Sequence, residues 1–434
     1  MKVLLCNVKA TIAKQEKTSF RGRLSNSHSD KIMLLLSIVY FVFLFTLLFT
    51  SQTAFAGTLE QAKRLHDRLT GVPASSETLT RMETLLNDGK NIEAAYVAME
   101  SKHFYNTTLK LFSTPWSNKE QDIFAPLNDY SATVIGMVRD DVDFRQILQA
   151  DVTYVGKSDL GLPEYSNNNN SHYLAIEERA IDLSSDLVQV PQSSLNGLPT
   201  SATAGVLTSR AAAKAFFYLG TNRAMLRFTL MNHLCTDLEP IKDNTLSPDR
   251  IRQDVSRSPG GDSRLFLNNC LACHSGMDPL AQAFAYYDYD FNIDTDPAAE
   301  VGNIAYNQDG TTDVTTGTRV QAKYFNNNTT FPFGFETPND QWINYWRHGN
   351  NRRLGWDPAL SGQGSGMKSL GEELANSQAF AQCQVKKVFK NVCLREAESS
   401  ADITQIATTT NSFQENGYQL KQVFAEVGNY CMGE

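Results

Sequence analysis

Cys270-Leu271-Ala272-Cys273-His274 is the stretch on which the reading of this chain turns. Two thiols three residues apart, with an imidazole directly after the second, have the spacing of a c-type haem attachment site. The residue types explain the chemistry: the two sulphurs add across the porphyrin's vinyl groups, and His274 then lies under the iron as proximal ligand. A cofactor held this way stays in a shallow, partly wet cleft, as a protein outside the cytoplasm requires. The expectation is one covalent haem c, with Cys270 and Cys273 as attachment points and His274 as an iron ligand.

Haem c is attached on the outer side of the membrane, so the motif carries this meaning only in an exported chain. The N-terminus meets that condition. Met33 to Thr50 is almost wholly apolar, Lys31 precedes it, and Thr53-Ala54-Phe55-Ala56-Gly57 follows. Ala54 and Ala56 form an A-x-A cleavage site, so residues 1–56 read as a signal peptide region, with Met33 as the alternative start. The rival reading is an inner-membrane anchor at residues 33–50, since 18 residues approach spanning length. The expected location is periplasmic or extracellular, with membrane attachment only if this segment stays uncleaved.

Seven Lys/Arg and two Asp/Glu lie in residues 1–56, so the remaining 378 residues hold 32 and 45, a formal charge of −13. Such an acidic body repels phosphate backbones and excludes nucleic acid as a partner; it attracts a periplasmic redox partner with a basic docking patch. Of seven cysteines, Cys6 leaves with the N-terminus and Cys270 and Cys273 go to haem. Cys235, Cys383, Cys393 and Cys431 remain, an even number suited to disulfides in an oxidising compartment; four buried free thiols are the alternative. Val385, Val388, Phe389 and Val392 repeat at helical spacing, which places Cys383 and Cys393 at opposite ends of one helix. Ten helical residues rise about 15 Å, beyond the roughly 7 Å between Cα atoms that a disulfide allows. Either Cys235–Cys383 with Cys393–Cys431, or Cys235–Cys393 with Cys383–Cys431, survives; the first is preferred.

The pattern along the chain predicts a mainly all-α protein, a multi-helix c-type cytochrome with a long irregular, loop-rich insertion over about 291–362. Leu59, Ala62, Leu65 and Leu69 predict a first helix, Leu79, Met82, Leu85 and Leu86 a second, and Ile92, Ala95, Tyr96 and Met99 a third. Helical character continues through 104–150, interrupted at Pro115 and Pro126, and returns at 208–234 after a broken polar stretch. Asp278 followed by Pro279 reads as an N-cap and first helical residue of a helix reaching Tyr287. A small hairpin is expected around 312–325. Leu420, Val423, Phe424 and Val427 predict a helix near the C-terminus. The implied modules are 57–204 (N-terminal, helical), 205–300 (haem c), 301–363 (loop-rich insertion) and 364–434 (C-terminal, helical).

With these residues in view, the chain resembles the planctomycete-type cytochrome c proteins, a haem module flanked by helical domains of unknown function. Arg68-Leu69-Thr70-Gly71-Val72-Pro73 is similar to that group's N-terminal helical module. Gly205-Val206-Leu207-Thr208, Thr221-Asn222-Arg223 and Leu234-Cys235 are similar to the lead-in to its haem module. The haem module itself is matched by Cys270-x-x-Cys273-His274, Met277-Asp278-Pro279-Leu280, Ala283-Phe284-Ala285 and Asp288. Ser369-Leu370, Ser377, Phe380 and Cys383, with Phe413 and Leu420, resemble its C-terminal module. The resemblance spans most of 58–431 and implies haem and architecture more than a reaction; residues 300–362 are longer and richer in Asn than the group's pattern.

Function then turns on the iron's sixth ligand, because a closed site suits electron transfer and an open one peroxide or O₂ chemistry. Met367, in Gly364-Ser365-Gly366-Met367-Lys368, is the first candidate, expected in a glycine loop; packing against the following helix is its alternative. His348, beside Trp342, Trp346 and Trp356, is the second. His233 and Met231 read as packed helix residues, His103 as a cap or packing residue, and Met277 as too close to His274. Phe266, Phe284, Tyr286, Tyr287 and Phe291 read as pocket wall, and Arg257 and Arg264 as partners for propionates or surface carboxylates. No catalytic residue is assigned. The leading expectation is an exported monohaem electron-transfer protein rather than an enzyme. The alternative is a haem-dependent peroxidase- or oxygenase-like enzyme with His348 and Arg347 beside an open distal site. A zinc module on Cys270, Cys273 and His274 ranks third, since it lacks a fourth ligand at suitable spacing. N-terminal sequencing of the exported protein should read from Gly57; a chain still carrying residues 33–50 would establish the anchor instead.

Overall fold

Apolar residues at helical spacing organise the first described segment into three short helices: α1 (Thr58–Thr70), α2 (Ser76–Asn87) and α3 (Asn91–Met99). The computed structural model describes residues 57–331 and 333–433; the apolar run at 33–50 and the cleavage site expected after it lie outside them. On α1 the buried stripe is Ala62, Leu65 and Leu69, while Leu59 faces outward. Ser75 caps α2 by accepting the Thr78 N–H, satisfying one of the donors a helix start leaves open.

A buried helix, α4 (Asp129–Arg139), carries the middle of the fold. Its residues 129–138 are all buried, as expected of a helix packed on every side. A reciprocal Asn128–Ser131 capping box starts it. The polar stretch that follows holds a two-stranded ribbon, β1 (Thr153–Gly156) with β2 (Leu187–Val190), and the helix α5 (Ser171–Glu178). Next come α6 (Arg210–Phe216), α7 (Arg223–Leu234) and α8 (Leu271–Ala281). The C-terminal helices are α9 (Gly366–Ala375), α10 (Gln378–Cys393), α11 (Ser400–Glu415) and α12 (Leu420–Cys431). The described protein is therefore mostly helical, with three two-stranded antiparallel ribbons. Among the described residues no helix is long and apolar enough to cross a membrane.

α10 is the brace between distant parts of the chain. It packs against α7, α11 and α12. Cys383 pairs with Cys235 at the end of α7, and Cys393 pairs with Cys431 at the end of α12, with Cα separations of 5.2 and 5.5 Å. Both cysteines do lie on one helix, and the pairing is the preferred one of the two left open. The main hydrophobic core runs from α1 through α4, α7 and α8 to α12, and the described residues form one compact unit.

Three local expectations are corrected. The helix after the motif does not start at Asp278: α8 begins at Leu271, gives way to a tight turn at Gln282–Phe284, and is followed by the strand β3 (Tyr287–Phe291). Asp278 is committed to an ion pair with Arg223 rather than to a cap, and Pro279 lies inside the last turn of α8, which gives way to a tighter turn two residues later. The ribbon expected at 312–325 lies earlier, between β3 and β4 (Gly302–Tyr306). Residues 312–321 instead form a loop whose Asp313 carboxylate accepts the Thr315 and Thr316 N–H groups, a local bond that competes with strand pairing, and Ala322–Phe325 form a short 3-10 helix. Met367 is not in a loop; it is the second residue of α9, directly after the ribbon of β5 (Gln341–Ile343) and β6 (Gln363–Ser365).

The loop-rich stretch also contributes to the core, since Ile304, Trp342, Trp346 and Leu354 are buried in it. Trp346 packs on α8 at Gly276, where an added Cβ would come within 2.1 Å of the indole Nε1. Gly276→Ala should therefore lower stability by about 1–3 kcal/mol in urea unfolding, the usual cost of overpacking; unchanged stability would show that Trp346 does not set how closely this segment approaches α8.

Candidate cofactor-attachment site

The turn Phe266–Cys270 runs directly into α8, so the whole motif is carried on helical backbone. Positions i, i+3 and i+4 of a helix share one face. Cys270, Cys273 and His274 accordingly line one side of the first turn, each partly exposed. They are anchored from two directions. Phe266 packs with Ile251 and Val255 into a satellite cluster against which Cys270 and Leu271 rest. The Asp243 N–H donates to the Ala272 carbonyl at 3.0 Å, tying the preceding loop to the motif. Leu265 and Leu267 remain 43% and 55% exposed, leaving apolar surface beside the first cysteine.

Cys270 and Cys273 are the free cysteines among the described residues, the other four being paired. Burial, with the Glu239 carboxylate nearby, pushes the Cys273 thiol above its usual range. Among the described residues no three His, Cys, Asp or Glu side chains gather as a metal-binding group. The two sulphurs and the imidazole are thus spread along a helix face instead of turned onto one point, and among the described residues no further side chain joins them in a metal-binding group.

His274 is oriented by a residue one helical turn further on. Its Nδ1 lies 3.1 and 3.2 Å from the two carboxylate oxygens of Asp278, which is fully buried. Arg223, the first residue of α7, grips that carboxylate in a fork, with Nε to Oδ1 at 2.6 Å and Nη2 to Oδ2 at 2.9 Å. The Arg252 backbone N–H adds a bond to Oδ2 at 3.1 Å. Burial alone would raise the Asp278 carboxyl, but the Arg223 guanidinium outweighs it and holds the group well below the usual carboxylate range. An ionised carboxylate only accepts hydrogen bonds, so Nδ1 is the donor and the neutral ring carries its lone pair on Nε2. No hydrogen bond among the described residues engages that nitrogen, and the side chain is 20% exposed. The site therefore offers two thiols able to add to an electrophile and one imidazole nitrogen able to bind a metal.

Arg223 also holds Asp254, at 2.5 and 2.8 Å, so one guanidinium joins two carboxylates. Its neighbours in sequence share the task. The Thr221 carbonyl accepts from Arg252 Nη2, and the Asn222 amide donates to the carbonyls of Phe284 and Tyr287, tying the chain beyond α8 back to the start of α7. These roles were not assigned from the sequence, where Asp278 read as a cap. The H-x-x-x-D spacing would have pointed to it once the helix was extended back past His274.

The other expected residues fall in different places. Met367 is fully buried in the main core. His348 is exposed, on the segment that packs beside the motif: Gly349 lies against the Asp243 carboxylate, and Asn351 donates to the Ile241 carbonyl at 2.7 Å. Arg347 turns away from it to a two-point pair with the buried Glu373 at 2.7 and 2.8 Å. Arg257 stacks over Phe266 and donates to the carbonyls of Val255 and Ile251, while Arg264 pairs with Asp262 at the surface. His233 is buried with Nε2 2.7 Å from the Tyr130 hydroxyl, and burial pushes its ring well below the usual range. Met277 is buried in the core, and His103 lines a surface cleft with His66.

Removing Arg223 leaves the Asp278 charge buried without its main counter-ion, so Arg223→Gln should cost about 3–5 kcal/mol in urea unfolding. In the unchanged chain the unfolded carboxyl, near pH 3.9, takes up its proton before the folded one does, so this pair's contribution is complete above about pH 5 and declines as pH falls. The acid limb of the stability curve should be shallower in Arg223→Gln; an unaltered limb would mean that the pair does not govern it. No protein-family model, curated protein or solved structure matches the chain.

Proposed function

We propose that this chain is an exported monohaem c-type cytochrome, with haem joined through Cys270 and Cys273 and ligated by His274, that passes single electrons in the periplasm. One observation carries the reading: where the Phe266–Cys270 turn runs into α8, the two unpaired cysteines share a helix face with an imidazole whose Nδ1 is committed to a buried, ionised carboxylate. That is the carboxylate–histidine arrangement metal-ligating imidazoles commonly use, and it leaves Nε2 as the binding atom. Bound haem supplies a one-electron ferric/ferrous couple. The chain's own residues would hold it by two thioether links and fix the ring of His274, with the exposed Leu265 and Leu267 offering apolar surface beside the first cysteine.

Electron transfer is favoured over peroxide or O₂ chemistry because Arg347, the cation an open distal site would use, is occupied by Glu373. For the sixth ligand, His348 has the support of its exposed position on the segment beside the motif, whereas Met367 would have to leave the core. The acidic surface suits a redox partner with a basic docking patch.

The full chain, produced in cells with a haem c maturation system, should retain one haem after acid–acetone extraction, and Cys270→Ala with Cys273→Ala should retain none. A colourless extracted polypeptide would sink the proposal. Reduced protein that fails to bind carbon monoxide rapidly fits a closed, electron-carrying site, whereas rapid binding would transfer the argument to the enzyme reading. A sulphur-to-iron charge-transfer band lost in Met367→Ala would assign methionine over His348.

A further inference from the structure

The least expected feature of the site is that His274 does not face its carboxylate alone. Asp278 accepts the Nδ1–H hydrogen bond on one side and is gripped by Arg223 on the other, and Arg223 divides its positive charge between Asp278 and Asp254. Asp254 is also 3.7 Å from the guanidinium of Arg252, which is fully buried over the Tyr324 ring at 4.4 Å. The series from α8 through α7 to the 252–254 segment is thus imidazole, carboxylate, guanidinium, carboxylate. Both carboxylates are shielded from solvent while Arg223 keeps a partly exposed edge, and between buried groups such charges act strongly on one another.

From this we infer that Asp278 and Asp254 act in sequence as positioning residues that set the reduction potential of the His274-ligated iron, Asp278 directly and Asp254 through its hold on Arg223. The inference rests on the proposed haem ligation. Asp278 fixes which nitrogen of His274 faces the metal and, by accepting the Nδ1–H, increases the electron density on Nε2. A more basic ligand stabilises the ferric state and lowers the potential. Arg223 opposes this by drawing charge from Asp278, and Asp254 moderates Arg223. Loss of either carboxylate should weaken the hydrogen bond to Nδ1 and raise the potential.

Redox titration of the haem-loaded full chain tests this, together with the ¹H–¹⁵N signal of the His274 Nδ1–H in the reduced protein. Asp278→Asn should favour the ferrous form by about tenfold, or 59 mV for one electron, and move the Nδ1–H signal. Asp254→Asn, which leaves every contact of His274 in place, should shift both in the same direction by less. Asp243→Asn is the control: this carboxylate lies by the motif outside the network, so the Nδ1–H signal should stay put. If Asp278→Asn does not fold, Asp254→Asn decides alone. An unmoved potential and Nδ1–H signal in a protein that carries covalent haem would overturn the inference and leave the haem reading standing. A wild-type chain without covalent haem would overturn both. An equal shift in Asp243→Asn would also overturn it, by showing that net charge alone is at work.

Discussion

A buried carboxylate without a counter-charge costs several kcal/mol, and Asp278 has no route to solvent. The fold answers that cost with the fork of Arg223 and the backbone N–H of Arg252, and much of the site follows from it. The pair joins the start of α7 to the end of α8. It therefore fixes how α8 lies, which side of its first turn faces outward, and where His274 points. Because the carboxylate stays ionised, the tautomer of His274 is decided as well. Packing, orientation and tautomer of the imidazole are set by one interaction.

Around this centre the molecule separates what must be rigid from what must be reachable. The two disulfides tie α10 to α7 and to α12, closing chain separations of 148 and 38 residues on the core side. Long loops lose the most entropy in the unfolded state when cross-linked, so the first of these stabilises the helix that supplies Arg223. The two remaining thiols stay on the outer face of α8, within reach of a reactant. Trp346, seated on Gly276, and the segment from Gly349 to Asn351, seated on the loop before the motif, hold the other flank. The stretch that looks like an insertion in sequence is a working wall of the site.

Individual residues show what could be read beforehand. The stripes on α1 and on α12, the single helix bearing Cys383 and Cys393, and the exclusion of a bond between those two follow from periodicity and reach alone. The Asp278 error came from a local rule applied correctly: Asp followed by Pro is a good helix start, but a buried guanidinium from 55 residues away outweighs a cap. Met367 was expected in a loop because of its flanking glycines, yet the β5–β6 ribbon places Gly366 at a helix start and buries the thioether behind it. Arg347 and His348 are adjacent in sequence and diverge in space because Glu373 captures the arginine.

The sequence by itself determined the chemistry on offer: two thiols and an imidazole at one helical turn, four further cysteines that pair, an acidic body, and mostly helical segments. These depend on residue type and short-range spacing, which survive any arrangement of the chain. Only the tertiary structure decided which nitrogen of His274 is bare, which cation neutralises Asp278, and which distant loop stands beside the motif. Those outcomes depend on contacts between segments tens to hundreds of residues apart. No local pattern encodes them, because the energy that selects them is the cost of burying charge in a particular place.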